Sequence, residues 1–123
     1  MKLRFRADSL RLRVNRREVE ALASGAVLEE QVHFPGNVRF TYVLDASRDE
    51  LPQASFDNGV LRVSAPQRRV RQWAASGEIG IYFELDSNGT SLRVAIEKDL
   101  ECVDGPPEER DPHAFPRLLS KNC

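Results

Sequence analysis

One pattern written twice constrains this chain more than any other feature. Phe5, Leu10-Arg11-Leu12, Val19, Leu22-Ala23, Leu28, Val32 and Phe34 recur fifty-one positions on as Phe56, Leu61-Arg62-Val63, Val70, Trp73-Ala74, Ile79, Phe83 and Leu85. Each copy reads strand, strand, short helix closed by Ser-Gly, strand, strand. Solenoids and propellers also carry internal periods, but they need three or more copies to bury their repeating faces. Two copies instead predict an internally duplicated α+β fold in which each ββαββ unit covers the other's apolar face. The strands are expected to merge into a curved antiparallel sheet or barrel, with the two short helices on one side. The expected boundaries are about 1–46 for the first copy, about 54–99 for the second and 100–123 for an irregular tail, all within a single domain. A chain of 123 residues buries roughly two-thirds of its unfolded surface, enough for one core without disulfides or metal.

Local signals place the elements. Leu3, Phe5, Leu10, Leu12 and Val14 alternate with Arg4, Arg6, Arg11 and Arg13, the period of half-buried strands, and the polar break Ala7-Asp8-Ser9 makes them a hairpin. Asn15 with Glu18 spells a capping box. The short helix after it presents Val19, Leu22 and Ala23 to the core and stops at Gly25, where a left-handed residue is needed. Residues 27–34 and 38–44 form a second hairpin around Pro35-Gly36-Asn37, with Val38, Phe40, Tyr42 and Leu44 expected on the buried side. In the second copy Asp57-Asn58-Gly59 and Asn88-Gly89 are tight turns. Pro66 begins a helix that turns Val70, Trp73 and Ala74 inward and is expected to end at Gly77. Ile79, Ile81, Phe83 and Leu85, then Leu92, Val94 and Ile96, supply the last buried faces. Gly105-Pro106-Pro107 breaks regular structure, leaving Phe115, Leu118 and Leu119 to anchor the tail.

Composition narrows the function classes. Hydrophobic residues make up 41% of the chain and charged residues 30%, with a net charge of −1. That balance gives no global attraction to nucleic acid or acidic membranes, so nucleic acid is a disfavoured partner. The positive charge is nearly all arginine, the side chain that grips carboxylate or phosphate with two parallel donors. No apolar leader opens the chain and no run approaches the roughly eighteen apolar residues of a membrane span. A cytoplasmic location without membrane association is therefore expected. The two cysteines, Cys102 and Cys123, are expected to be free thiols.

The chemistry-bearing residues lie on the polar side of the strands. If Leu10 and Leu12 face the core, Arg4, Arg6, Arg11, Arg13, Arg62 and Arg93 face away from it, with Glu84, Glu97 and Asp99 on the same side. On a closed barrel this side would line a tunnel suited to polyphosphate and a divalent cation. On an open sheet it is a solvated, arginine-rich face of cross-strand ion pairs, each contributing well under about 1 kcal/mol, and this is the default for one-sided sheets. The Glu-x-Glu-x-Lys alternation of triphosphate tunnel enzymes is absent. The candidate ligand-binding residues are Arg11, Arg13, Arg62, Arg93, Glu97, Lys98 and Asp99.

Other chemistries find less support. Cys102, His113 and Cys123, with His33 more distant, are metal-ligating types, but none is spaced two to four residues from another as structural zinc sites require. Cys102 beside a histidine has no local nucleophile motif, and phosphate-binding glycine loops are missing. Tyr82 is the one aromatic on the polar side, too few for stacking a nucleic-acid strand. No catalytic residue, metal or cofactor is expected. Two readings remain open: a non-catalytic interaction module working through its sheet face or a homodimer edge, and a binder or phosphohydrolase for an anionic, phosphorylated small molecule.

Lys2-Leu3-Arg4-Phe5-Arg6 and Asp8-Ser9-Leu10-Arg11-Leu12-Arg13-Val14, followed by Glu18-Val19, resemble the opening of a family of small bacterial proteins of unknown function. Ile96-Glu97-Lys98-Asp99-Leu100-Glu101-Cys102 is similar to that family's closing Val-Glu-Lys-Asp-Phe-x-Cys strand, and Phe115-Pro116 to its Phe-Pro ending. The family often continues with Asn-Pro, where this chain has Arg117. The resemblance implies no activity. It marks the Arg11/Arg13 strand and the Glu97 to Cys102 strand as signature pieces, which would bring arginine and carboxylate together if the two strands adjoin.

Overall fold

A computed structural model describes residues 1–100 and 112–115. The elements run β1 (Lys2–Arg6), β2 (Ser9–Val14), α1 (Arg16–Ala23), β3 (Leu28–Phe34), β4 (Val38–Ser47), β5 (Gln53–Asp57), β6 (Val60–Pro66), α2 (Gln67–Ala75), β7 (Gly80–Ser87) and β8 (Thr90–Lys98). The fold is α+β, with ββαββ written twice. Its strands form two four-stranded sheets, ordered β1-β2-β8-β7 and β3-β4-β6-β5, rather than one antiparallel sheet or a closed barrel. Each sheet is mixed. The hairpins on its flanks are antiparallel, while the central pairs, β2 with β8 and β4 with β6, are parallel.

The two copies are therefore interlaced. The first hairpin of copy one shares a sheet with the last hairpin of copy two, and the two inner hairpins share the other. Each helix carries the chain from one sheet to the next. Tight turns specify antiparallel partners at close range, whereas the parallel central pairings join segments far apart in the chain and leave no local signature. The turns themselves form as expected: Asn58-Gly59 and Asn88-Gly89 both place two successive residues at positive φ, as a two-residue hairpin loop requires.

The core draws on both sheets and both helices. Leu10, Leu12, Val14, Ile81, Val94 and Ile96 meet Leu44, Leu61, Val63 and Ala65 across Val19, Leu22, Val70 and Trp73. The capping box of α1 is complete, Asn15 accepting from the Glu18 amide while the Glu18 carboxylate accepts from the Asn15 amide. Gly25 takes the left-handed conformation expected of it. The second helix ends two residues before Gly77, at Ala75, where Ser76 hydrogen-bonds back to the Trp73 carbonyl.

Burial stops short of the strand ends. Phe5 and Phe56, equivalent residues on the edge strands β1 and β5, are 57% and 66% exposed, and Val38, expected inside, is 57% exposed. Their alternation still turns them toward the core side, but the inward rows run beyond the span that the helices cover.

The pattern also hides one buried charge. Lys98, at the end of β8, is only 7% exposed. Its Nζ donates to the Ser76 carbonyl at 2.7 Å and lies 5.8 Å from the Trp73 ring centroid and 5.4 Å from that of Phe115. Burial lowers its pKa from the ordinary lysine value, against the opposing pull of Glu78. The amine thus ties the end of α2 to Phe115, which packs on the core as expected and is held by a bridge to Leu100. Leu118 and Leu119 lie outside the described residues. Lys98→Ala should lower stability by about 2–3 kcal/mol, because it opens a cavity under two aromatic rings and orphans a helix-end carbonyl. Chemical denaturation at neutral pH measures this, and a change under 1 kcal/mol would rule out the tie.

Candidate functional site

Strand register builds the outward side of the first sheet in three rows. Across β1, β2, β8 and β7 they read Lys2-Arg13-Glu97-Gly80, Arg4-Arg11-Ala95-Tyr82 and Arg6-Ser9-Arg93-Glu84. The alternate residues Leu3, Leu12, Ile96 and Ile81, and then Leu10 and Val94, point the other way, into the core. The two signature strands adjoin, and arginine meets carboxylate between them.

Glu97 is the centre of that meeting. Its Oε1 lies 3.1 Å from Arg11 Nε and 3.8 Å from Arg13 Nε, and its Oε2 accepts the Tyr82 hydroxyl at 2.7 Å. Asp99 takes Lys2 at 2.9 Å. Three of the six cations in these rows therefore have carboxylate neighbours. Arg4, Arg6 and Arg93 make no ion pair among the described residues. Glu84 sits opposite Arg93 in register, but its carboxylate accepts from Ser91 instead. These three guanidiniums border a concave surface of about 600 Å³ whose lining also includes Arg11, Tyr82, the carboxylate Glu84 and the small residues Ser9 and Ala95. The hollow opens where long side chains surround the short Ser9 and Ala95.

Tyr82 is held in an unusual way. It is 61% exposed, yet its ring lies back along β7 over Gly80. A β-carbon at Gly80 would stand 2.7 Å from the Tyr82 hydroxyl oxygen, 2.8 Å from Cζ and 3.0 Å from Glu97 Cγ, so any other residue there would push the ring away. Burial of the phenol, then its hydrogen bond to Glu97, pushes the Tyr82 pKa up to about 12. The hydroxyl is therefore a permanent donor at physiological pH, and its bond to Glu97 anchors the ring.

The second sheet repeats the arrangement with fewer charges. Asp45 stands opposite Ser64 as Glu97 stands opposite Arg13. Asp45 is taken by Arg62 at 2.5 Å and by the Ser64 hydroxyl. Arg62 thus lies on the other sheet from Arg11, Arg13 and Arg93, and the four do not converge about a pseudo-twofold axis. Lys98 also leaves the candidate set, because alternation turns it inward, away from Glu97 and Asp99. The register does equate Glu97-Lys98-Asp99 with Asp45-Ala46-Ser47, and the two segments differ as their sequences do. Lys98 fills space between rings where the other copy has Ala46, and Ser47, in the place of Asp99, has its Oγ buried without a hydrogen-bond partner among the described residues.

Arg4 and Arg6 join the hollow although sequence reasoning ranked them below Arg11 and Arg13. The signal was present in their alternation; the absence of a carboxylate beside them was not. Gly80, two residues before the outward Tyr82, was the legible sign of a ring needing room. Among the described residues no three histidine, cysteine or acidic side chains are grouped to hold a metal. His33 pairs across from Arg39 on β3, and the His113 carbonyl accepts from the Arg16 amide. Cys102 and Cys123 lie outside the described residues.

The architecture defines an internally duplicated α+β protein of two interlaced mixed sheets, with an arginine-bordered hollow on one of them. The chain belongs to a family of unknown function, DUF7009, whose family model matches residues 1–118. No curated protein and no solved structure matches it. Among the described residues no helix is long and apolar enough to cross a membrane.

Proposed function

We propose that this protein is a small, non-catalytic cytoplasmic binding module that takes up a phosphate-bearing anion on the outward side of its first sheet. The observation that carries this reading is the convergence on one hollow of Arg4, Arg6 and Arg93, none of them in an ion pair among the described residues, against a single lining carboxylate, Glu84. Guanidinium groups stay charged at any biological pH and offer forked donors matched to phosphate oxygens. Three of them without an ion pair among the described residues repel one another across the hollow, and an incoming polyanion relieves that repulsion. Arginine serves binding rather than proton transfer, and the nearby carboxylates are engaged: Glu84, which lines the hollow, accepts from the Ser91 hydroxyl. Glu97 is shared by Arg11 and Tyr82, and Asp99 holds Lys2. This favours capture over the phosphohydrolase alternative, which would need those carboxylates free to hold a cation.

A thermal-shift series with pyrophosphate, tripolyphosphate and nucleotides tests the proposal. A ligand at a hundred times its dissociation constant should add about 2.7 kcal/mol of stability, a rise of several degrees. The rise should shrink with added salt and fall sharply in Arg93→Ala. No shift with any of these anions at low salt would sink it.

A further inference from the structure

We infer that the ligand is a nucleoside polyphosphate, its planar base lying on the Tyr82 ring and its phosphates on Arg93 and the Arg4/Arg6 pair. This rests on the anion-binding reading and adds to it the class of molecule.

The ring is a prepared platform. A tyrosine on an exposed edge strand normally samples several rotamers. Here the hydroxyl is anchored at 2.7 Å to Glu97, the hydroxyl end of the ring lies over Gly80, and the side chain is 61% exposed. Stacking on a ring already held in place gives up little side-chain entropy. Covering a strand glycine with an aromatic is also a packing device in its own right. What adds function is the neighbourhood. Arg93 lies one strand across and one row along from Tyr82, a diagonal of about 7–8 Å, which a ribose bridges. Arg6 follows two strands further in the same row as Arg93, roughly 10 Å away at normal strand spacing. Arg4 adjoins Arg6 on β1. The order across the sheet is thus aromatic face, first guanidinium, guanidinium pair, over a floor of Ala95 and Ser9. It matches base, sugar and a short chain of phosphates.

Size and charge select a small ligand over a polymer. The hollow of about 600 Å³ is of the volume that a single drug-sized molecule fills. A nucleic-acid strand would want several stacking rings and a continuous basic track. This face has one ring, Glu84 stands in the hollow's own lining opposite Arg93, Asp86 follows it along the outward side of β7, and the chain as a whole carries −1.

Calorimetric titration of the full chain separates the two layers of the argument. The tightest of ADP, GDP, CDP and UDP should bind five- to a hundred-fold more tightly than pyrophosphate, the range that stacking on one aromatic supplies. Tyr82→Ala should erase that advantage and leave pyrophosphate affinity unchanged. Gly80→Ala, which lifts the ring without removing it, should erase most of it while thermal unfolding shows the fold intact. Arg93→Ala should weaken both ligands. Equal binding of pyrophosphate and the diphosphates, with no effect of Tyr82→Ala, would overturn the nucleotide assignment and leave the anion site standing. Binding of neither would overturn both. A single-stranded oligonucleotide bound more tightly than any mononucleotide would also overturn it, in favour of a nucleic-acid surface.

Discussion

Trp73→Ala should lower the thermal unfolding midpoint by roughly 10–20 °C, the largest stability effect expected from any single substitution in this chain. Trp73 is fully buried, its indole Nε1 donates to the Ile79 carbonyl at 3.0 Å, and its ring lies under the Lys98 ammonium. Truncation leaves a cavity at the meeting of both helices and both sheets, costing about 3–5 kcal/mol by itself. It also removes one of the two hydrogen bonds to the Ile79 carbonyl, which keeps that from the Lys98 amide, and takes the aromatic face from a buried charge. For a domain whose total stability is on the order of 5–15 kcal/mol, that is a large fraction. The equivalent place in the first copy holds Leu22, equally buried but with no hydrogen bond to lose, so Leu22→Ala should cost less, about 2–4 kcal/mol. Denaturant titration of both variants gives the comparison. A Trp73→Ala loss no greater than that of Leu22→Ala would show that the interlaced halves do not depend on the indole.

The second large effect is on binding. The combined change Arg4→Ala, Arg6→Ala, Arg93→Ala should weaken any phosphate ligand by a hundred-fold or more at low salt, since charge-assisted hydrogen bonds contribute about 1.5–3 kcal/mol each and about 1.4 kcal/mol is a factor of ten. Stability should barely move. All three residues are exposed and without ion pairs among the described residues, and such surface positions usually shift stability by less than about 0.5 kcal/mol. Arg62→Ala, on the other sheet and paired to Asp45, should leave affinity unchanged. Titrations at two salt concentrations distinguish the outcomes: an unaffected triple variant, or an equal loss in Arg62→Ala, would refute the placement of the site.

The duplication shows how far local pattern reaches. Capping by Asn15 and Glu18, the Asn-Gly turns and the inward runs of Leu10, Leu12, Val94 and Ile96 were legible because each depends on a few neighbouring residues. The site was half legible. Alternation put Arg11, Arg13 and Arg93 on one side of their strands, and the same rule turned Lys98 inward, where its charge had made it look like a ligand. That Arg62 belongs to another sheet, and that Arg4, Arg6 and Arg93 make no ion pair among the described residues, depended on strand order.

The sequence by itself determined the two ββαββ units, the turns that close their hairpins and the face that each strand buries, because periodicity and turn geometry act over a few residues. Only the tertiary structure decided that the units interlace. Hydrophobic burial is non-directional, so apolar faces alone do not choose between joining β2 to β8 and joining it to any other buried strand. That parallel pairing sets Glu97 beside Arg11 and Arg13, the β7–β8 hairpin adds Tyr82, and together they border the hollow with Arg4, Arg6 and Arg93.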